Sequence, residues 1–362
     1  MTEPKTTVSG SAMASLQDAL LVHCRSRDLP RVTEVIGGDP GCGVVLTPGS
    51  MQGLRQRLRH LQRYVPAGRI LLDAGRYAGK SRKFAQDAFT PEWIALQREL
   101  GLSVIPDVGY IDQGDDEGLR SILRRTRELG VDALAPLGLH SSWLADGAGL
   151  DALIEAVNEA NVPIAVMLEH SKDPFSAART LRGTLRLIRE VPNPVIFLRC
   201  DLSSIGLLCH GAHAAAVGTT SGLRHIYPLT DTAGGRPPKA SAVVRQCLSY
   251  VSLEKIFTTV QADPENQMWV CDCLSCNGET IDQMYMRRDP EAAAFAHSVE
   301  VLRQLRFDLV VNAPPSARAA SWASECSNAL FRAEEMAAID TTWPSPRMLD
   351  HWTAAHPATR HH

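Results

Sequence analysis

Short apolar runs recur along the first two thirds of the chain, each followed by a longer, charge-bearing segment with helical spacing of its apolar positions. The runs at 44–46, 69–73, 103–107, 132–136, 163–168, 194–201 and 213–218 are continuous, as in strands buried on both faces. A further run at 20–23 makes eight. Between them the spacing predicts helices at 52–64, 91–100, 117–129, 149–160 and 175–189. Buried strands alternating with helices imply right-handed βαβ units and a parallel sheet. Eight strands suit a (β/α)8 TIM-type barrel more than an open sheet. No G-x-G-x-x-G follows a strand, which removes the main argument for a dinucleotide fold, and there is no P-loop or helical repeat.

The pattern divides the chain. Residues 1–18 are polar and small and read as a disordered lead-in, with 19–245 as the barrel. A Pro/Gly-rich break at 233–241 is a loop over the barrel mouth or a hinge. Residues 246–345 form a second subdomain with closing helices at 290–307 and 316–338, and 346–362 are a tail. Composition narrows the setting: 362 residues, 44% hydrophobic and 21% charged, belong to a globular protein. A net charge of -3 gives no global sign of nucleic-acid binding, so such a role needs a local basic patch. No apolar run approaches the ~20 residues of a membrane span. Nine cysteines and no signal-like leader lead us to expect a cytoplasmic protein in a reducing compartment.

Three of those cysteines, Cys271, Cys273 and Cys276, form a C-x-C-x-x-C cluster. Neighbours one residue apart cannot bridge without severe strain, whereas converging thiolates suit zinc. His297, on the 290–307 helix, is the natural fourth ligand. Four protein ligands leave no open position, so the zinc is expected to be structural. The chemistry must lie elsewhere.

In a barrel it sits at the C-terminal strand ends, where Asp73, Asp107 and Asp201 fall. Each could equally be a helix N-cap. The loop after Asp73 contains Gly75, which permits a tight turn, Tyr77, a flat face for a base, and a basic strip of Arg76, Lys80, Arg82 and Lys83. The strip is either a solvated surface or a track for a phosphate backbone, helped by Arg55, Arg57, Arg59 and Arg63.

Together, the Asp-x-Gly-x-Tyr turn after an early strand, a second aspartate after the next, and a late C-x-C-x-x-C before a His-bearing helix resemble the tRNA-guanine transglycosylases. The resemblance covers roughly residues 40–310 and implies a zinc-containing barrel that exchanges guanine in a polynucleotide for a 7-deazaguanine. It matches Cys271, Cys273, Cys276 and His297 to the zinc ligands, Asp73 to an acid/base, Tyr77 to the stacking aromatic and Asp107 to the reader of the base edge. Two motifs of the tRNA-acting members are missing, and residues 214–222, with Gly218, only echo one of them. Asp201 is therefore expected as the nucleophile by position. The divergence favours the branch that inserts 7-deazaguanines into DNA, with tRNA as the alternative polymer. On this mechanism Asp73→Asn and Asp201→Asn should each abolish exchange, with Asp231 the next nucleophile to test. Two other readings compete: a hydrolase with a catalytic ion on His140, His170 or His225, and a non-catalytic nucleic-acid-binding subunit of a modification complex. The helices after the zinc site offer a surface for a homodimer.

Overall fold

The computed structural model describes residues 11–145, 147–229 and 239–355. Residues 1–10, 230–238, which include Asp231 and most of the Pro/Gly-rich break, and 356–362 lie outside the described part.

Eight strands form one parallel sheet: β1 (Ala19–Arg25), β2 (Cys42–Thr47), β3 (Ile70–Leu72), β4 (Tyr110–Ile111), β5 (Ala135–His140), β6 (Ile164–Glu169), β7 (Val195–Cys200) and β8 (Ala214–Gly218). Their order is β3-β2-β1-β8-β7-β6-β5-β4, so the first and last strands of the series pair directly. The helices α1 (Ser11–Ala14), α2 (Leu29–Ile36), α3 (Leu54–Leu61), α4 (Pro91–Glu99), α5 (Asp116–Leu129), α6 (Ala148–Ala160), α7 (Ala178–Glu190) and α8 (Ser203–Cys209) accompany them. A two-stranded antiparallel hairpin follows, β9 (Ser241–Val244) with β10 (Ser249–Ser252). Then come α9 (Leu253–Ala262), α10 (Gln283–Met286), α11 (Pro290–Arg306), α12 (Pro315–Ile339) and α13 (Met348–Ala355).

Side chains alternate along each strand, so one buried run feeds two cores. Leu21, Val45, Leu71, Tyr110, Ala165, Ile196 and Ala216 point to a shared interior, joined by Leu134 just before β5. Their neighbours Val22, Val44, Leu46, Ile70 and Leu72 pack outward under the helices. A single interior cluster fed from every strand position means that the sheet is curled around it. Among the described residues, no ladder joins β3 to β4.

That seam explains a difference from expectation. The run 103–107 is not a strand; it makes one bridge, Val104 to Ala133, and β4 begins at Tyr110. Pro106 has no N–H to donate to a ladder. Across the seam, Phe84 bridges Tyr110. The α13 helix, expected as tail, packs Trp352 against Trp322 with ring centroids 5.9 Å apart and donates from its indole to Ser203 Oγ at 3.2 Å.

Candidate functional site

The cysteine cluster lies on a tight hairpin closed by Cys271 N–H to Glu279 O at 3.0 Å and Gly278 N–H to Cys271 O at 3.0 Å. Asn277 and Gly278 supply its left-handed turn, with φ of 53° and 84°. Helix α11 brings His297 over it, with Nδ1 3.5, 3.5 and 3.2 Å from the Sγ atoms of Cys271, Cys273 and Cys276. Tetrahedral zinc with bonds of about 2.3 Å to sulfur and about 2.0 Å to nitrogen requires S···N separations of about 3.5 Å. The set fits. Its other nitrogen, Nε2, is 2.8 Å from Val243 O, which fixes the ring and ties the site to β9. The four side chains can hold a metal ion, and with no open position that ion would be structural. Among the described residues this is the one His/Cys/Asp/Glu group so arranged.

At the C-terminal end of β3, Asp73 is the hub of a buried network. Its Oδ2 accepts from Tyr77 OH at 2.8 Å, Thr47 Oγ1 at 3.1 Å and Arg199 Nη2 at 3.0 Å, while Oδ1 accepts from Gly75 N–H at 2.8 Å. His23 Nε2 lies 2.8 Å from Thr47 Oγ1 and 3.2 Å from the same carboxylate. Burial alone would favour the neutral acid. The Arg199 charge and the donors of His23 and Tyr77 outweigh it and hold Asp73 well below the usual carboxylate range. Burial lowers the pKa of His23 despite that partner.

Such a carboxylate is a fixed counter-charge. The acid/base part expected of Asp73 is therefore not one that its surroundings serve, since proton transfer needs a pKa near the working pH. Tyr77 is 2% exposed, its ring lies against Gly138 and its hydroxyl is committed to Asp73, so it offers no shelf for a base. Gly75 takes a left-handed φ of 65°, and a Cβ there would stand 3.1 Å from Arg199 Nη2.

Asp107, expected to read a base edge, is buried and accepts from Thr90 N–H at 2.7 Å and Thr90 Oγ1 at 2.5 Å, which anchors the start of α4. Arg76 reaches it at 3.0 Å. Arg82 turns inward too, to Glu169 at 2.5 Å, with its guanidinium over the Tyr110 ring. The basic strip is thus split: Arg76 and Arg82 pair with the buried carboxylates of Asp107 and Glu169, and Lys80 and Lys83 remain exposed.

Asp201, at the end of β7, is different. Its side chain keeps 28% exposure, with Oδ1 held by Leu202 N–H at 2.8 Å and Arg224 3.9 Å from Oδ2. Burial first, and the Asp201 charge second, push the nearby Asp173 carboxyl up to about 7. One carboxylate is open to solvent, while its neighbour holds a proton near neutrality. Gly218 serves the loop itself, because a Cβ there would come within 2.3 Å of Leu223 O.

Among the described residues the strand-end histidines form no three-ligand cluster, although His170 stands near His225, whose pKa burial first and the His170 charge second lower to about 4. His140 Nδ1 meets Ser142 Oγ at 2.7 Å, His170 Nδ1 accepts from Lys172 N–H, and His225 stacks on Tyr227 with centroids 4.1 Å apart. Arg199, Asp173 and Arg224 escaped the sequence reading. Arg199 left a trace, a lone cation inside an apolar strand run, which demands a buried carboxylate.

No protein-family model and no curated protein matches the chain. Among solved structures it is similar to the YdjI aldolase from Escherichia coli K12, at 10% identity over 84% of this chain and 96% of that one, with a TM-score of 0.36. That likeness is too distant to bear on activity.

Proposed function

We propose that the chain is a (β/α)8-barrel transglycosylase that exchanges guanine in DNA for a 7-deazaguanine, with Asp201 as nucleophile. The observation that supports this is Asp201 at the end of β7, 28% exposed, beside the Asp173 carboxyl, which burial and the Asp201 charge push up to about 7. Glycosyl exchange needs that division of labour. Asp201 Oδ2 attacks the anomeric carbon, the C1′–N9 bond breaks, and the departing guanine takes the Asp173 proton. The incoming base returns its N9 proton to Asp173 as N9 attacks C1′ and frees Asp201. Every bond and proton balances without a co-reactant. A structural zinc on Cys271, Cys273, Cys276 and His297 would brace the region and take no part in a step.

The test is incubation of the full-length, zinc-loaded protein with radiolabelled guanine or 7-cyano-7-deazaguanine and either duplex DNA or tRNA. Label is expected in DNA, and Asp201→Asn should remove it. Label in tRNA would keep the chemistry and change the polymer. Label in neither would end the exchange reading in favour of a non-catalytic nucleic-acid-binding subunit, which the Asp73–Arg199 ion pair favours because it leaves the strand-end aspartate of β3 unable to shuttle protons.

A further inference from the structure

A cavity of about 620 Å³ opens between the loop after β8, the β9–β10 hairpin and α11. It is chemically two-sided. Phe295, Val299 and Leu302 line one side; Thr220, Ser221, Arg224 and Lys239 line the other, and Asp28 and Glu291 are carboxylates on the wall. Arg224 is the unusual member. Its guanidinium carbon lies over the Tyr250 ring, 3.5 Å from the centroid, and Nε donates to Gly218 O at 3.3 Å. Among the described residues its ion-pair partner is Asp201, at 3.9 Å and beyond hydrogen-bond reach. Of the other cations on the wall, Arg31 pairs with Asp289 at 2.9 Å and Lys239 with Glu254 at 2.6 Å, while Arg27, 71% exposed, has Asp28 at 3.7 Å. A largely buried guanidinium with a stacked face and unused N–H groups at its edge is a fork for a tetrahedral anion. The volume falls within the range of small-ligand sites, and the apolar side has room for the rest of such a ligand.

We propose that this cavity is a phosphate subsite, in which Arg224, braced on Tyr250, binds a phosphate group of the nucleotide whose sugar lies at Asp201. The assignment of that sugar rests on the exchange reading above; the phosphate site itself does not. The shared chemistry is a phosphate ester, and its source is either a polynucleotide backbone or a free nucleotide. Arg224 thereby becomes a positioning residue that sets the distance between the bound phosphate and the nucleophile.

The experiment is equilibrium binding of three probes, inorganic phosphate, guanosine 5′-monophosphate and a short single-stranded oligodeoxynucleotide, to the full-length zinc-loaded protein. Wild type is compared with Arg224→Gln, with Arg224→Lys, which keeps the charge and loses the fork, and with Ser221→Glu, which sets a carboxylate at the rim of the cavity without touching the buried arginine. Arg224→Gln should weaken at least one probe by about tenfold and, if that probe is the oligonucleotide, reduce the salt slope by about one. Ser221→Glu should weaken the same probe even if Arg224→Gln does not fold. Dependence confined to the oligonucleotide identifies a backbone phosphate, and dependence shared with the mononucleotide identifies a free one. Unchanged binding of all three probes in folded Arg224→Gln, or in Ser221→Glu where only that variant folds, overturns the subsite. Base exchange that persists in such a variant retires this inference alone, whereas absent exchange with Arg224-dependent binding retires the exchange reading alone.

Discussion

Asp73 and Asp201 both end a strand, yet one meets Arg199 at 3.0 Å inside the sheet and the other keeps 28% of its side chain in solvent. Arg199 also takes a left-handed φ of 55°, where the β7–β8 register slips between Phe197 and Cys200. A non-glycine residue there costs about 1 kcal/mol or more, so the ion pair must outweigh it. Arg199→Met should therefore cost about 3–5 kcal/mol in urea unfolding, because it strands a buried carboxylate. Adding Asp73→Asn should restore part of that loss; strictly additive costs would show that the two are not coupled. Asp173 behaves oppositely with pH. Its folded carboxyl, at about 7, holds a proton that the unfolded chain, at about 3.9, has already released. Between those values the folded state binds the extra proton, so this group's contribution to stability falls as pH rises. Asp173→Asn is expected to raise Tm at pH 8 and to leave it unchanged at pH 4, by thermal melts at both; an equal shift at the two would contradict the pKa.

Among the elements, α11 does the most joining. Its Val299, Val301, Leu302 and Leu305 pack on the layer outside the sheet, Ser298 Oγ accepts from Val243 N–H at 3.1 Å, and His297 completes the cysteine set. Metal binding at such a site is folding free energy for whatever the site closes. Elemental analysis should find one zinc per chain. Its removal by chelation should lower Tm and open residues 241–311 to limited proteolysis before the parallel sheet. An unchanged melting curve in protein verified to be zinc-free would mean that packing alone holds the hairpin and α11 together. The α13 helix is a second case of an element placed by packing. Its eight residues are too few to be stable alone, and Trp352 between Trp322 and Phe175 gives it a seat.

Across the whole molecule, the curl is continuous from β3 round to β4, and among the described residues the seam carries no strand ladder but isolated bridges at Phe84–Tyr110 and Val104–Ala133 with the Arg76–Asp107 and Arg82–Glu169 pairs. Native-state hydrogen exchange should accordingly show the amides of 70–72 and 103–111 less protected than those of β1 and β8. Uniform protection would mean that the curl opens as one unit.

Much of this was legible in the chain. Continuous apolar runs state that strands are buried on both faces, helical spacing between them states a parallel sheet, and three clustered cysteines with a helical histidine state a group able to hold a metal ion, because each signal is carried by neighbours in sequence. The short β4, the β9–β10 hairpin and α13 were not legible, since their stability comes from contacts with residues far along the chain. Nor was the division of roles among the aspartates. All three read alike as strand-end acids, and they are told apart by what folding sets beside them: Arg199 from 126 residues away for Asp73, Thr90 for Asp107, and Asp173 with Arg224 for Asp201. Local pattern follows from covalent order and burial, whereas charge state follows from through-space neighbours and the water they exclude.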